Sequence, residues 1–429
     1  MIPDDWEVVS VQQLVEKQIL KKPLDGNHGN IHPKSSDYVG YGIPFVMANN
    51  FTHGQVDLLS CKFITKERAD KLQKGFSISG DVLLTHKGTV GSTAIVGELN
   101  TDYIMLTPQV TYYRVTNDNC LNNQFLRHYF DSQPFQSLFI NLAGGGTRAY
   151  LGIVKQLALP VVTPPLSEQR SIATALSDMD ELLGGLDQLI TKKRDLKQSA
   201  MQQLLTGKTR LSGFGEGKNY KQTEIGLIPE DWILTPLSKI SAFITKGSTP
   251  TTYGFTWTQD GILFLRSECV SENGLDLSQS MFISQQAHSA LKRSSLRSGD
   301  LLITITGNVG RVVYLDKDFN MGNMNQHIAR VRIIDNCVCT KFIYHYLNQS
   351  TIRKAFNTIT TGQAYPQISL KQVRDAVVPL SSIEEQNAIA SILSDMDTEI
   401  AALEQRRNKT RDLKQAMMQE LLTGRIRLL

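Results

Sequence analysis

Nowhere among the 429 residues is there a run of about 18 apolar residues, the length needed to span a bilayer as a helix. The opening segment, MIPDDWEVVS, carries acids and a tryptophan where a secretory leader needs basic residues followed by an apolar stretch, so the cytoplasm is the expected location. Cysteine is scarce. Cys61, Cys120, Cys269, Cys337 and Cys339 are an odd number scattered along the chain, which suits neither a disulfide framework nor a structural zinc site and predicts reduced thiols. A strong excess of one charge is missing too: a net charge of +4 permits nucleic-acid binding without arguing for it, because a phosphate-binding surface needs local clustering. No set of acid, base and nucleophile recurs in both halves or converges in one, which argues against an enzyme.

What the chain does contain is an internal repeat. Hydrophobic residues make up 41% and charged residues 20%, an ordinary globular composition with length enough for two or three cores. EQRSIATALSDMD from Glu168 returns as EQNAIASILSDMD from Glu385, a displacement of 217 residues, and the match continues without a gap through RDLKQSAMQQLL and RDLKQAMMQELL. Of 44 aligned positions, 25 are identical, far above chance. Upstream the likeness thins: IPDDW from Ile2 matches IPEDW from Ile228, GDVLLTHKGTVG from Gly80 matches GDLLITITGNVG from Gly299, and AYLGI from Ala149 matches AYPQI from Ala364. Each half is thus a divergent domain followed by a near-identical segment. Identical packing or identical partners would hold the segments alike, while different ligands would let the domains drift.

In the repeated segments Leu176, Met179, Leu183, Leu186 and Ile190 are spaced 3, 4, 3 and 4, and Leu393, Met396, Ile400 and Leu403 follow the same rule, which is a heptad seam. Ser167 with Glu168, and Ser382 with Glu384 and Glu385, supply a hydroxyl and acids at each start, and Gly207 and Gly424 stand where each helix should end. Each segment predicts a helix of about 40 residues, near 60 Å, too long for a small domain to cover. The other copy is the natural antiparallel partner, which gives the chain a pseudo-two-fold axis. The charges Lys192, Arg194, Asp195 and Lys197 recur as Lys409, Arg411, Asp412 and Lys414; a solvated face would tolerate any order, so the kept order favours a docking surface.

The divergent domains read as mixed α/β, with strands such as DVLLT, QVTYYRV, ILFL, DLLITI and HIARVRI between Gly-rich and Asn-rich turns, and helices over Gln124 to Leu138 and Lys341 to Phe356. GTVG (Gly88–Gly91) and GNVG (Gly307–Gly310) follow strands but lack the Lys and Ser or Thr of a nucleotide loop, so they read as tight turns. GGGTRAY and TTGQAY allow close backbone approach, and Arg148 or Gln363 could make the paired hydrogen bonds that distinguish guanine or adenine; a plain surface loop is the other reading. LDGNHGNIHPKSSDY (Leu24–Tyr38) and ITKGSTPTTYG (Ile244–Gly254) are polar loops suited to phosphate or base contact. The candidate DNA contacts are His32, Lys34, Lys87, Arg148 and Tyr150 in the first half, and Lys246, Thr249, Arg266, Arg311, Gln363 and Tyr365 in the second. His28 and His32 have no nearby Cys, His or Glu to complete a ligand set, so no metal is expected.

IPEDW opening a globular domain, then EQ..IA..L, SDMD, RDLKQ..MQ.LLTG and a terminal Arg-Leu, all present twice, resembles the specificity subunit of type I restriction-modification systems over essentially the whole chain. The resemblance implies a DNA-binding, non-catalytic chain with two recognition domains, each reading one half of a bipartite double-stranded DNA target. It also implies a coiled coil that sets the spacing and docks two adenine-methyltransferase modification subunits, with restriction and translocase subunits completing the complex. No cofactor is expected on this chain; S-adenosylmethionine, ATP and Mg would belong to the partners. The expected fold class is α+β multidomain: recognition domains at 1–165 and 228–381, conserved helices at 166–207 and 382–429, and a flexible linker at 208–227. Consistent with a recognition role, the chain has no NPP(Y/F) methyltransferase tetrad and no P-loop. The first half lacks the polar TEIGL that precedes IPEDW in the second, which suggests a trimmed or misassigned start. The alternatives are the specificity protein of a fused methyltransferase-nuclease system and a coiled-coil DNA-binding regulator.

Overall fold

A computed structural model describes residues 2–144, 149–215, 219–272, 274–362 and 365–428. It divides into two compact units, residues 1–189 with 403–429, and residues 190–402. Neither unit is simply one divergent domain with its following helix. Each combines one mixed α/β domain with the beginning of the long helix that follows it and the end of the other long helix.

The two long helices are Leu166–Leu204 and Ile383–Leu421, 39 residues each. They end as their glycines dictate: Gly207 (φ 67°) and Gly424 (φ 71°) adopt the left-handed conformation, and their amides donate back to Leu204 and Leu421. Ser382 caps the second helix by accepting from the Glu385 amide, whereas Ser167 lies inside the first turn of the first helix, behind Pro164 and Pro165. The helices run antiparallel. In the first unit Lys414 Nζ donates to Asp180 at 2.6 Å and Arg407 to Asp187 at 3.1 Å; in the second Lys193 pairs with Glu399 at 2.7 Å and Lys197 with Asp397. Within each unit residue numbers in one helix fall as those in the other rise.

The heptad seam does two jobs along its length. Leu176 and Leu393 are fully buried inside the cores of the α/β domains, among Ile172, Ala173, Leu421 and Leu422 in one unit and Ile389, Ala390, Leu204 and Leu205 in the other. Leu183, Leu186, Ile190 and Ile400 are buried further along, and Met179, Met396 and Leu403 are half-buried. Burial of each such leucine stabilises by about 1.5–3 kcal/mol. Leu176 and Leu393 are therefore core residues, unavailable to a docking subunit.

In the first unit Glu7–Ser10 pairs antiparallel with Pro160–Thr163, closing the domain where the chain enters the helix. A six-stranded sheet runs Leu24–Asp25, Val110–Tyr113, Val82–Thr85, Thr93–Ile95, Gln55–Val56, Phe51–Thr52, and a five-stranded sheet has Ile104–Leu106 beside Ile43–Val46 in parallel. The second unit repeats the plan with shorter sheets: Ile233–Pro236 pairs with Val377–Leu380, and Thr245–Lys246, Ile328–Val331, Leu301–Thr304 and Val312–Tyr314 form one sheet. The expected domain helices are each broken in two, Asn123–Asp131 with Gln133–Ala143 and Thr340–Leu347 with Ser350–Thr358. In the first unit Ser132 ends one helix and caps the next, with Pro134 near its start. The connector is not wholly flexible: Tyr220–Thr223 and Gly226–Pro229 form a hairpin, and the Tyr220 hydroxyl donates to the Gly207 carbonyl. No helix of the described residues is long and apolar enough to cross a membrane.

Candidate nucleic-acid interface and the joints that carry it

The repeated motifs meet in two equivalent joints, one per unit. In the first, Glu168 at the start of its helix accepts from the Trp6 indole at 3.0 Å and from Arg427 at 2.6 and 2.8 Å, while Arg427 also forks onto Asp5 at 2.7 and 3.0 Å. In the second, Glu385 accepts from Trp232 at 3.2 Å and from Arg210 at 2.5 and 2.8 Å, and Arg210 forks onto Asp231. Both guanidiniums lie 5.6 Å from the indole ring they cover. Glycine is required as well, since a Cβ on Gly424 would strike Pro3 and one on Gly207 would strike Pro229. IP.DW, EQ and TG..RL are thus three parts of one joint, fastening a domain's first residues to its own helix and to the tail of the other. The acids at the helix starts serve this joint rather than the helix dipole alone.

A second shared contact holds the domain helix to the long helix. His128 and His345 are buried, each with Nε2 at 3.1 Å from a serine of SDMD, Ser177 and Ser394. Arg127 donates to His128 Nδ1, which leaves the Nε2 proton for Ser177. Burial first, then Arg127 and Lys414, holds His128 well below its ordinary pKa; burial, Lys197 and Lys341 bring His345 to about 3. Gln169 and Gln386 accept from the amides of Asn122 and Cys339 at 2.9 Å. The lysines of RDLKQ are the ones that pair across the helices, so Lys197 and Lys414 are intramolecular rather than docking residues. Arg194, Arg411, Leu196 and Leu413 of the same motif are exposed, the leucines at 48% and 55%.

Away from the helices, three loops of each domain converge at the end of its main sheet. In the first unit the Gly88 amide donates to Ala149 and the Leu151 amide to His86, so the HKGTVG turn lies against the AYLG segment, with Lys87 opposite Tyr150. In the second, Gly307 donates to Pro366 and Ile368 to Ile305. The polar loops after Leu24–Asp25 and Thr245–Lys246 press on a neighbouring sheet, where Gly26 and Gly247 sit so close to the carbonyls of Leu106 and Met324 that a Cβ would fall within 2 Å of them, and in the first unit this brings Asp25 to 3.8 Å from His86. Both Gly-containing turns are tight, with Gly88, Gly91, Gly307 and Gly310 at positive φ.

The candidate contacts divide accordingly. Lys87, Tyr150, Lys246 and Tyr365 are exposed at these converging loops, and Lys34 is exposed on the longer excursion of the first. Thr249 donates to Gln326, whose amide meets His327, and the His327 ring lies 6.3 Å from Tyr365. His32 packs 5.5 Å from Phe45 with Nδ1 buried, Arg266 is committed to the Gln279 carbonyl, and Arg311 lies 3.8 Å from Glu272. Arg148 and Gln363 lie outside the described residues. Among the described residues no group of three His, Cys, Asp or Glu is placed to hold a metal ion; His28 hydrogen-bonds Asp25 instead.

Sequence reasoning missed the joint residues Trp6, Trp232, Arg210 and Arg427 as partners. It also missed the duplicated FLRHYF and FIYHYL, although His128 and His345 are 217 residues apart like the rest of the repeat.

The family model for the type I restriction modification DNA specificity domain fits the chain twice, over residues 3–192 and again over residues 229–410, each span taking in one α/β domain and much of the long helix that follows it. The chain belongs to the type I restriction-modification specificity-subunit family. The MjaVIII specificity subunit of Methanocaldococcus jannaschii is 25% identical over 99% of this chain and 94% of its own length. The EcoBI specificity subunit of Escherichia coli is 27% identical over 61% of this chain and 57% of its own. The S subunit of M. genitalium superposes with a TM-score of 0.62 at 15% identity, covering 98% and 96% of the two chains, which establishes a common fold. In this specificity subunit the duplicated joints account for the repetition of IP.DW, EQ and TG..RL.

Proposed function

We propose that each recognition domain reads one half of a bipartite DNA target and that the antiparallel helices set the spacing and dock two adenine-methyltransferase modification subunits. The chain performs no chemistry in this reading; S-adenosylmethionine, ATP and Mg act on the partner subunits, and restriction subunits join the full complex. The observation that carries it is the contrast within each unit. The joint contacts, the cross-helix lysine pairs and the glycines of the loop framework recur in both units, while the side chains at the converging loops differ. A shared frame with different presented chemistry is what two readers of different sequences require.

Leu196 and Leu413 are the natural anchors for the modification subunits, being equivalent, exposed and set between Arg194 or Arg411 and the paired lysines. Duplicated anchors call for two copies of one partner. The deciding experiment is methylation-sensitive long-read sequencing of DNA from cells expressing this chain with its methyltransferase. A split adenine-methylated motif that disappears without the chain supports the reading; a continuous motif, or methylation indifferent to the chain, refutes it.

A further inference from the structure

At the converging loops of the first unit lies a polar pocket of about 410 Å³, lined by Asp25, His28, Lys74, Tyr150 and Lys155 among others. Asp25 is 3% exposed, yet it forms part of the pocket surface. Lys74 pairs with one carboxylate oxygen and His28 Nε2 lies 2.6 Å from the other. Behind it, His86 is wholly buried. Its Nδ1 lies 3.1 Å from the Leu151 carbonyl, which can only accept, so the neutral ring turns a bare Nε2 lone pair toward Asp25 at 3.8 Å, with no hydrogen-bond partner among the described residues. Burial pushes the Asp25 carboxyl upward, but the bonds from Lys74 and His28 outweigh it and hold it ionised.

The fold does not need this cluster. In the second unit the same strand end carries Lys246 where Asp25 stands and Ile305 takes the place of His86, while the bridge to Thr306 puts Gln367 in the place of Tyr150, two residues beyond the Tyr365 that the match of AYLGI with AYPQI pairs with it. A buried carboxylate beside an unsatisfied imidazole nitrogen is costly where a lysine and an isoleucine serve the frame equally well. Its distinguishing chemistry is acceptor capacity at the floor of an open pocket, flanked by cations for phosphate and by the exposed Tyr150 and Val154.

We propose that Asp25, set by His28, Lys74 and His86, is a specificity-determining residue that accepts a hydrogen bond from the exocyclic amine of a cytosine or adenine in the half-site read by the first unit. Bases presenting a keto oxygen in the major groove are rejected there, because two acceptors would face each other. This rests on the first unit being the reader of one half-site, which exchange of residues 1–165 tests separately: that exchange must alter one half-site only.

The test uses the assembled complex of this chain with its modification subunits. Each adenine or cytosine of that half-site is replaced in turn by purine or 2-pyrimidinone, which lack the amine. One position is expected to lose about tenfold or more in affinity. At that position Asp25→Ala complexes, which lack the acceptor, should show little further loss with the analogue, while penalties elsewhere stay as in the wild type. Asp25→Glu retains the charge that Lys74 and His28 balance; it tests the same position should the alanine variant not assemble, and should show a reduced penalty there. The proposal is overturned if no amine matters in the wild-type scan, or if every analogue penalty persists undiminished in an assembled variant. If neither half of any DNA is preferred over random sequence, the recognition reading itself fails.

Discussion

Glu385 is 1% exposed and accepts from both the Trp232 indole and Arg210, so its replacement by alanine probes the joint directly. The change strands a buried indole N–H, at about 1–3 kcal/mol. It also removes one of the two acids held by Arg210, and loss of one partner from a fully buried ion pair costs about 3–5 kcal/mol. Arg210 keeps Asp231 and is not fully enclosed, which places the total near 3 kcal/mol at the low end of that range. Glu385→Gln retains an acceptor for Trp232 and should cost less, about 1–2 kcal/mol. Hydrogen exchange resolved by mass spectrometry reads each unit separately. The alanine variant should accelerate exchange of the slowest amides of residues 228–381 by about 100-fold, since each 1.4 kcal/mol is about a factor of ten. Residues 1–165 should keep their protection. The mirror experiment is stricter: Arg427→Ala, at the far end of the sequence, should loosen residues 1–165 and spare 228–381. Unchanged protection in both variants would refute the joint as a stabilising element.

Acid should expose the buried histidines. Their folded pKa values lie below the unfolded value near 6.5, so the stability they contribute is present above that pH and is lost as pH falls toward about 3 for His345, by about 1.4 kcal/mol per pH unit. His345→Gln should flatten the decline in melting temperature between pH 6.5 and 4.5, and an unchanged slope would assign the acid sensitivity elsewhere. Leu196→Asp and Leu413→Asp should each remove one modification subunit and together remove both, read as complex mass by light scattering; full assembly of the double variant would place docking elsewhere. A heptad inserted at equivalent points of both long helices adds about 10 Å and should lengthen the spacer between half-sites by about three base pairs, leaving the half-site sequences alone. An insertion in the first helix only should instead break the ion-pair register and destabilise the chain.

The sequence by itself determined the duplication, the two 39-residue helices, their glycine ends and the mixed α/β character of the domains. These follow from local rules: heptad spacing, strand alternation and left-handed glycines act over a few residues and repeat at a fixed displacement. Even the family was legible, because motifs such as SDMD and RDLKQ are short and contiguous. Tertiary structure alone decided what those motifs are for. Glu168 meets Arg427 across 259 positions and Lys197 meets Asp397 across 200, so residues that read as helix caps or docking charges became halves of joints. The reading pocket was hidden for the same reason. Asp25, Lys74, His86 and Tyr150 come from four separate segments with no common spacing, and only strand pairing, the close backbone approach at Gly26 and the tight turn at Gly88 bring an ionised carboxylate, its cation and an unsatisfied imidazole to one sheet end.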